Sequence, residues 1–233
     1  MNVRQDSFYE NIKICEFIGS MFLVIAAISP IILFTEVLKV DISIAVLADA
    51  IAVGFVLFAL IEIFGPICTA YFNPVVSIVM ALNKDISWSK ALVYSFWQIL
   101  GGITGMILSH VMFYDHVQKL MVVSNIQRTG GTFIAEILGT FILVLCIFSL
   151  VHQKSDKTSL VVGLLVGGML LSTSSTMFAN PQVTIARFFT YSAAGIRPID
   201  GMIFIIMQII GGVLAFIIWK KTIYCRCSNK ILK

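Results

Sequence analysis

Six long apolar runs divide the chain and constrain its fold more than any other feature. They lie at 14–34, 43–64, 88–112, 131–151, 159–177 and 199–220. Each run is close to the ~20 residues that a helix needs to cross a hydrocarbon core of ~30 Å. With 59% hydrophobic and 12% charged residues, the chain also lies outside the composition of soluble globular domains. The runs therefore predict an all-α membrane protein with six transmembrane helices.

Two polar interruptions fall between these runs, and each pairs an asparagine with a proline. The first is Asn73-Pro74 and the second is Asn180-Pro181. Asparagine accepts a backbone hydrogen bond at the N-cap of a helix, and proline fits the first helical position because its missing N–H would have no partner there. Both pairs therefore predict short helices, at 73–83 and 181–190, which are too short to cross a membrane.

The two halves of the chain resemble each other at three places that follow in the same order. These are the Glu-x-x-Gly segments that begin at Glu16 and Glu136, the Gln-x-x-Gly-Gly segments that begin at Gln98 and Gln208, and the two Asn-Pro pairs. Because each half holds three spans, the second copy enters the membrane in the opposite orientation, which makes an inverted 3+3 repeat. We expect the first repeat at 1–118 and the second at 119–233, ending in a short basic tail.

The inverted repeat predicts how the Asn-Pro segments enter the membrane. The first follows a helix that runs inward and the second follows one that runs outward, so both are re-entrant half-helices whose N-termini meet near the midplane. Irregular backbone is tolerated there only where it is buried in protein or lines a water-filled cavity. Asn73 and Asn180 would offer N–H donors to a passing oxygen, and the two positive helix ends would disfavour cations. We therefore expect a passive pore for small uncharged solutes.

The distribution of basic residues predicts the orientation of the chain. A cytoplasmic N-terminus places most of the 16 lysines and arginines in the cytosol, in agreement with the positive-inside rule. We expect a multi-pass protein of the cell membrane with both termini cytoplasmic. The net charge of +4 then needs no nucleic-acid partner, because a basic tail flanks the lipid bilayer. Cys225 and Cys227 in this tail are interpreted as inert, with lipid attachment as the alternative.

Other functions are less well supported by the residues. A coupled secondary transporter also uses inverted repeats, but it usually needs an ionisable residue at its substrate site, and the Asn-Pro segments contain no acid. No paired acid and base and no metal-site spacing occur, so we predict neither an enzyme nor a cofactor nor a metal. His110, His116 and His152 fall in predicted loops and are interpreted as isolated surface residues. A structural protein with an occluded pore is a further alternative.

These motifs resemble the major intrinsic proteins, the aquaporin and aquaglyceroporin family, over essentially the whole chain. The first Asn-Pro segment, from Gly65 to Val75, is similar to a family box that usually ends Asn-Pro-Ala. The second segment, Phe178 to Arg187, and the sequence Ala-Gly-Ile-Arg-Pro that ends at Pro198 resemble a bacterial branch, some members of which are linked to arsenic resistance. The resemblance implies an aquaporin-like fold, a homotetramer, and glycerol-like polyols, water or neutral metalloid hydroxides as solutes.

The family pattern also implies which residues form the pore. The expected midplane constriction consists of Asn73, Pro74, Val75, Asn180, Pro181 and Gln182. Val75 and Gln182 replace the usual alanines, and Thr69 and Tyr71 also depart from the pattern nearby. We expect these larger side chains to narrow or polarise the pore.

Four further positions correspond to the selectivity filter of the family. They are Val53, Gly168, Met177 and Val183, and relatives most often carry arginine at the last one. This filter would be wider and more apolar than that of a strict water channel. Arg187 lies one helical turn, ~6 Å, beyond Val183, so it would either move the positive charge to the outer vestibule or snorkel away from it.

Glu16 and Glu136 are carboxylates inside predicted membrane helices. Such residues are rarely retained without a partner. The resemblance implies that they brace the re-entrant loops by accepting backbone N–H groups, and a proton relay is the alternative.

Overall fold

The computed structural model describes the backbone of residues 3–224 and the side chains of residues 11–222. The end of the predicted basic tail, with Cys225 and Cys227, lies outside the described residues.

Nine α-helices occur within the described residues, which contain no strand. They are α1 (Val3–Ile32), α2 (Ile42–Phe64), α3 (Pro74–Leu82), α4 (Trp88–Met112), α5 (Tyr114–Val117), α6 (Gly130–His152), α7 (Thr158–Ser172), α8 (Pro181–Ala186) and α9 (Pro198–Ile218). Turns of π-helix follow α1 and α9, and a turn of 3₁₀-helix follows α8. The predicted all-α architecture, with two short helices at the Asn-Pro pairs, is confirmed.

Five segments within the described residues are long and apolar enough to cross a membrane. They are Asn11–Val37, Ile42–Phe64, Trp88–Met112, Gly130–His152 and Pro198–Thr222. The fifth predicted span, 159–177, is shorter than expected, because α7 has 15 residues and ends at Ser172 rather than at 177. Four hydroxyl residues, 173–176, follow it. Side chains of this kind compete for backbone hydrogen bonds, and Thr173 bonds back to the carbonyl of Met169.

The long helices pack in the same pairs in both halves. Helix α1 lies against α4 in the first half, α6 lies against α9 in the second, and α2 of the first half contacts α7 of the second. Glycines permit the close approach. A Cβ atom at Gly101 would lie 2.2 Å from the carbonyl oxygen of Phe17, and one at Gly211 would lie 2.4 Å from that of Ile137. Small residues at such contacts let membrane helices pack backbone to backbone.

The half-helices α3 and α8 begin as the sequence predicts. The Oδ1 atom of Asn73 accepts the backbone N–H of Val75 at 2.9 Å, and Oδ1 of Asn180 accepts that of Gln182 at 3.1 Å.

The second half-helix ends earlier than the predicted residue 190, because α8 stops at Ala186 and a 3₁₀ turn, Arg187–Phe189, follows it. The carbonyls of Phe188 and Phe189 accept hydrogen bonds from the backbone N–H groups of Ser124 and Val122, in the loop between α5 and α6. These carbonyls are therefore turned toward the loop rather than along a continued helix.

Candidate functional site

A cavity of about 160 Å³ lies between the two halves of the chain, where the half-helices α3 and α8 begin. Residues of α1, α2, α6 and α7 and of both connecting segments line it, and most of this lining is apolar. Asn73, Asn180 and Arg187 contribute polar side chains to the wall. A polar solute inside this cavity therefore finds few hydrogen-bond partners along an apolar wall.

The two asparagines hold the two halves together across the start of the half-helices. The Nδ2 atom of Asn73 donates to the carbonyl oxygen of Ala179 at 2.9 Å, and Nδ2 of Asn180 donates to the carbonyl oxygen of Phe72 at 2.8 Å. Each amide carries two N–H donors, and each of these bonds uses one of them. The second donor of each asparagine is available to an oxygen atom in the cavity.

The connecting segments before the asparagines share an unusual backbone conformation. Ala70 and Phe72 have φ angles of 49° and 48°, and the matching residues of the second half, Met177 and Ala179, have φ angles of 36° and 46°. Residues other than glycine rarely adopt this left-handed conformation, which persists only where surrounding contacts enforce it and is concentrated at functional sites. The inverted repeat is therefore present in the backbone as well as in the sequence.

Glu16 anchors the first connecting segment to α1. Its carboxylate is fully buried and accepts the backbone N–H of Tyr71 at 2.9 Å and that of Phe72 at 2.8 Å. It also accepts the hydroxyl of Thr69 at 2.7 Å and the side-chain amide of Gln98 at 2.8 Å. The two backbone bonds give N–H groups of an irregular segment partners that the membrane cannot supply.

Glu136 makes the equivalent contacts in the second half. Its carboxylate is fully buried and accepts the backbone N–H of Phe178 at 2.9 Å and that of Ala179 at 2.8 Å. The side-chain amide of Gln208 donates to it at 2.6 Å and also to the hydroxyl of Thr184 at 2.9 Å. The glutamates and glutamines of both repeats therefore occupy matching places around the two asparagines.

The large residues that follow the Asn-Pro pairs do not line the cavity. A Cβ atom at Gly102 of α4 would lie 2.1 Å from Oε1 of Gln182, and one at Gly212 of α9 would lie 2.4 Å from Cγ1 of Val75. Both side chains are buried, and neither they nor the two prolines line the cavity. Tyr71 does line it. The replacements of the usual alanines are thus accommodated behind the half-helices by glycines.

Three of the four expected filter residues lie at the cavity, and the fourth does not. Val53, Met177 and Val183 line the cavity. Gly168 lines a separate apolar groove of about 530 Å³ between α2 and α7. It has no side chain to reach the cavity, and a Cβ atom there would meet nothing within 4 Å.

Arg187 is held inside the protein and does not snorkel. Only 2% of the residue is exposed. Its Nη2 atom donates to the carbonyl oxygen of Ala27 at 2.6 Å and lies 3.6 Å from Oδ2 of Asp49. The carbon of its guanidinium group lies 4.2 Å from the ring centroid of Phe178. Three neighbours therefore fix a charged side chain at the wall of the cavity.

The partner of this arginine was missed by the sequence reasoning. Asp49 lies in α2, one turn before Val53, and is 3% exposed. The signal was present in the sequence, because an acidic residue inside a membrane helix is by default a candidate functional residue with a partner.

His110 is not an isolated surface residue, so that prediction was wrong. It lies near the end of α4 and is fully buried. Its Nε2 atom lies 2.8 Å from the hydroxyl of Thr190, its Nδ1 atom bonds the carbonyl of Leu120, and its ring packs on that of Tyr191. It connects the loops that contain Leu120 and Thr190 to α4.

The sequence was next compared with known families. It matches the profile of the family described as Major intrinsic protein over residues 2–179. The chain belongs to the major intrinsic protein family. Aquaglyceroporin AqpS of Rhizobium meliloti is 32% identical to this family member over 207 residues, which cover 89% of this chain and 88% of the relative.

This major intrinsic protein is also similar to a further relative and to a solved structure. A glycerol uptake facilitator protein of Streptococcus pneumoniae is 35% identical over 124 residues, which cover 48% of this chain and 53% of the relative. The X-ray structure of the aquaglyceroporin from Plasmodium falciparum matches with a TM-score of 0.74 at 20% identity, covering 92% of this chain and 97% of that chain. The last likeness establishes the fold alone.

Proposed function

We propose that this major intrinsic protein is a passive channel for glycerol and other small uncharged solutes. The observation that carries the proposal is the reciprocal pair of hydrogen bonds at Asn73 and Asn180, which leaves one N–H donor of each asparagine for a solute oxygen. The names of the relatives, an aquaglyceroporin and a glycerol uptake facilitator, support it.

A solute crosses the centre by replacing its hydrogen bonds to water with hydrogen bonds from these two donors. A glycerol hydroxyl or a water oxygen accepts from Asn73 and Asn180 while its apolar side contacts the wall. The positive ends of α3 and α8 point to the same place and disfavour a cation or a hydrated proton. No carboxylate lines the cavity in the part of the chain that the structure describes. Passage is therefore not coupled to an ion.

Val53, Met177 and Val183 are proposed as an apolar selectivity filter, to which Gly168 adds no side chain because it lines a separate groove. A ring without aromatic or charged side chains suits solutes larger than water, such as polyols or neutral metalloid hydroxides. Pro74, Val75, Pro181 and Gln182 then support the constriction from behind. Arg187 belongs to the outer vestibule.

Glu16 and Glu136 are proposed to brace the connecting segments rather than to relay protons, since every bond described for them is accepted from a loop or a glutamine. We further propose two repeats, at 1–118 and 119–233, in a homotetramer of the cell membrane, with both termini in the cytosol. None of these roles calls for a catalytic group.

Stopped-flow light scattering of proteoliposomes tests the proposal. We expect vesicles that contain the protein to re-swell with glycerol or neutral arsenite faster than empty vesicles, with or without a proton or sodium gradient. Uptake that requires a gradient would identify a coupled transporter instead, and flux equal to that of empty vesicles would contradict a channel.

A further inference from the structure

We propose that the Asp49–Arg187 ion pair closes the outer end of the cavity and sets the largest solute that passes. This inference rests on the proposed channel function. It assigns a specificity-determining role to an aspartate and an arginine that lie one helical turn outside the expected filter.

The position of the pair follows from the two helices that carry it. Asp49 precedes Val53 by one turn of α2, and Arg187 follows Val183 by one turn of α8 and its 3₁₀ extension. In the proposed orientation α2 runs inward and α8 runs outward. An earlier residue of α2 and a later residue of α8 therefore both lie on the outer side of the valines. The ion pair thus lies one helical turn, ~5.4 Å, to the outer side of the apolar residues.

The lining of the cavity ends at this level. In α1 the last lining residue toward the outside is Ala27, and in α2 the first is Val53. Arg187 is the last lining residue after α8, and its Nη2 atom bonds the carbonyl oxygen of Ala27. The guanidinium group therefore bridges the walls at the outer end of the cavity.

The pair is held firmly but is not saturated with hydrogen bonds. Oδ1 of Asp49 and Nε of Arg187 are buried and have no hydrogen-bond partner among the described residues. A buried polar atom without a partner is costly, so such atoms call for an explanation. Arg187 lines the cavity and Asp49 does not, so the guanidinium group meets a passing solute and Asp49 holds that group in place. The two charges cancel, so the outer end selects by size and hydroxyl contact rather than by net charge.

A double variant tests this role. Asp49→Asn with Arg187→Ala removes both charges and most of the bridging side chain. We expect the ratio of erythritol permeability to glycerol permeability in proteoliposomes to rise by about threefold or more, because pore width at the narrowest polar layer limits the larger polyol. Arg197→Gln is the matched control, since it removes another Arg–Asp pair, 2.9 Å from Asp200, without touching the cavity.

A second variant covers the case in which the first does not fold. Asp49→Asn with Arg187→Gln also removes both charges but keeps side chains closer in size to the original pair. We therefore expect a smaller rise of the same ratio. The proposal is overturned if a folded variant still passes glycerol and has the same erythritol-to-glycerol ratio as the unaltered protein. The ion pair is then not the limiting layer. If the unaltered protein itself passes no glycerol, the channel function fails instead.

Discussion

At the scale of single residues, the positive charge of this channel lies in an unusual place. Val183 stands where the family resemblance leads us to expect an arginine, and the charge belongs to Arg187, four residues later. Asp49 accompanies it, 3.6 Å away. In the proposed channel, an apolar layer at Val183 and a polar layer at Arg187 therefore follow each other along the path.

Restoring arginine at the apolar layer should change selectivity. We expect Val183→Arg to reduce glycerol permeability by about tenfold and water permeability much less, because a guanidinium group narrows the pore and keeps donors for water. Stopped-flow measurement of both solutes in the same vesicles gives the comparison.

Val183→Leu is the control for bulk without charge, and we expect a smaller loss of glycerol permeability. An equal loss of water and glycerol in the arginine variant would show that Val183 does not discriminate between them.

At the scale of elements, glycines in the long helices determine how the half-helices sit. Gly102 of α4 receives Gln182 of α8, and Gly212 of α9 receives Val75 of α3. The sequence shows that both glycines end the repeated Gln-x-x-Gly-Gly segments. It could not identify the side chain that each one receives.

A Cβ atom at Gly102 should therefore be tolerated poorly. We expect Gly102→Ala to destabilise the protein by about 1–3 kcal/mol, since extra volume in a packed interior forces neighbours to move. The apparent melting temperature in detergent measures this. Adding Gln182→Ala should restore most of the loss, because the atom that clashes is then absent.

Gly168→Ala is the matched control, because nothing lies within 4 Å of a Cβ atom there, and it should leave the melting temperature unchanged or slightly higher. A Gly102→Ala variant as stable as this control would contradict the assigned packing.

The limits of the sequence reasoning have physical causes. Apolar length and the Asn-Pro caps locate the helices, because both depend on local residues. The end of α8 depends on the loop between α5 and α6 that binds the carbonyls of Phe188 and Phe189, and the burial of His110 depends on Thr190. The direction of Gln182 depends on a glycine in another helix. Each of these is a contact between distant parts of the chain, which local patterns do not contain.

At the scale of the whole molecule, the proposed orientation places successive loops on alternate sides of the membrane. Ser43, after the first span, would face outward, and Ser89, after the first half-helix, would face the cytosol. Both residues are exposed.

Labelling of intact cells tests the orientation. We expect a membrane-impermeant maleimide to label Ser43→Cys but not Ser89→Cys, because only the first thiol meets the outer solution. The unaltered protein, with its five cysteines, provides the background. Labelling of only the Ser89→Cys protein would show that the orientation is the reverse of the proposed one.

The reciprocal bonds of the two asparagines have a consequence for biogenesis. The donor of Asn73 finds its acceptor 106 residues later in the chain, at Ala179, and Asn180 reaches back to Phe72. During synthesis the first half leaves the ribosome long before its partner carbonyl exists. The re-entrant segment of the first half therefore remains incompletely hydrogen-bonded until the second half has inserted. The constriction is thus among the last parts of the protein to assemble.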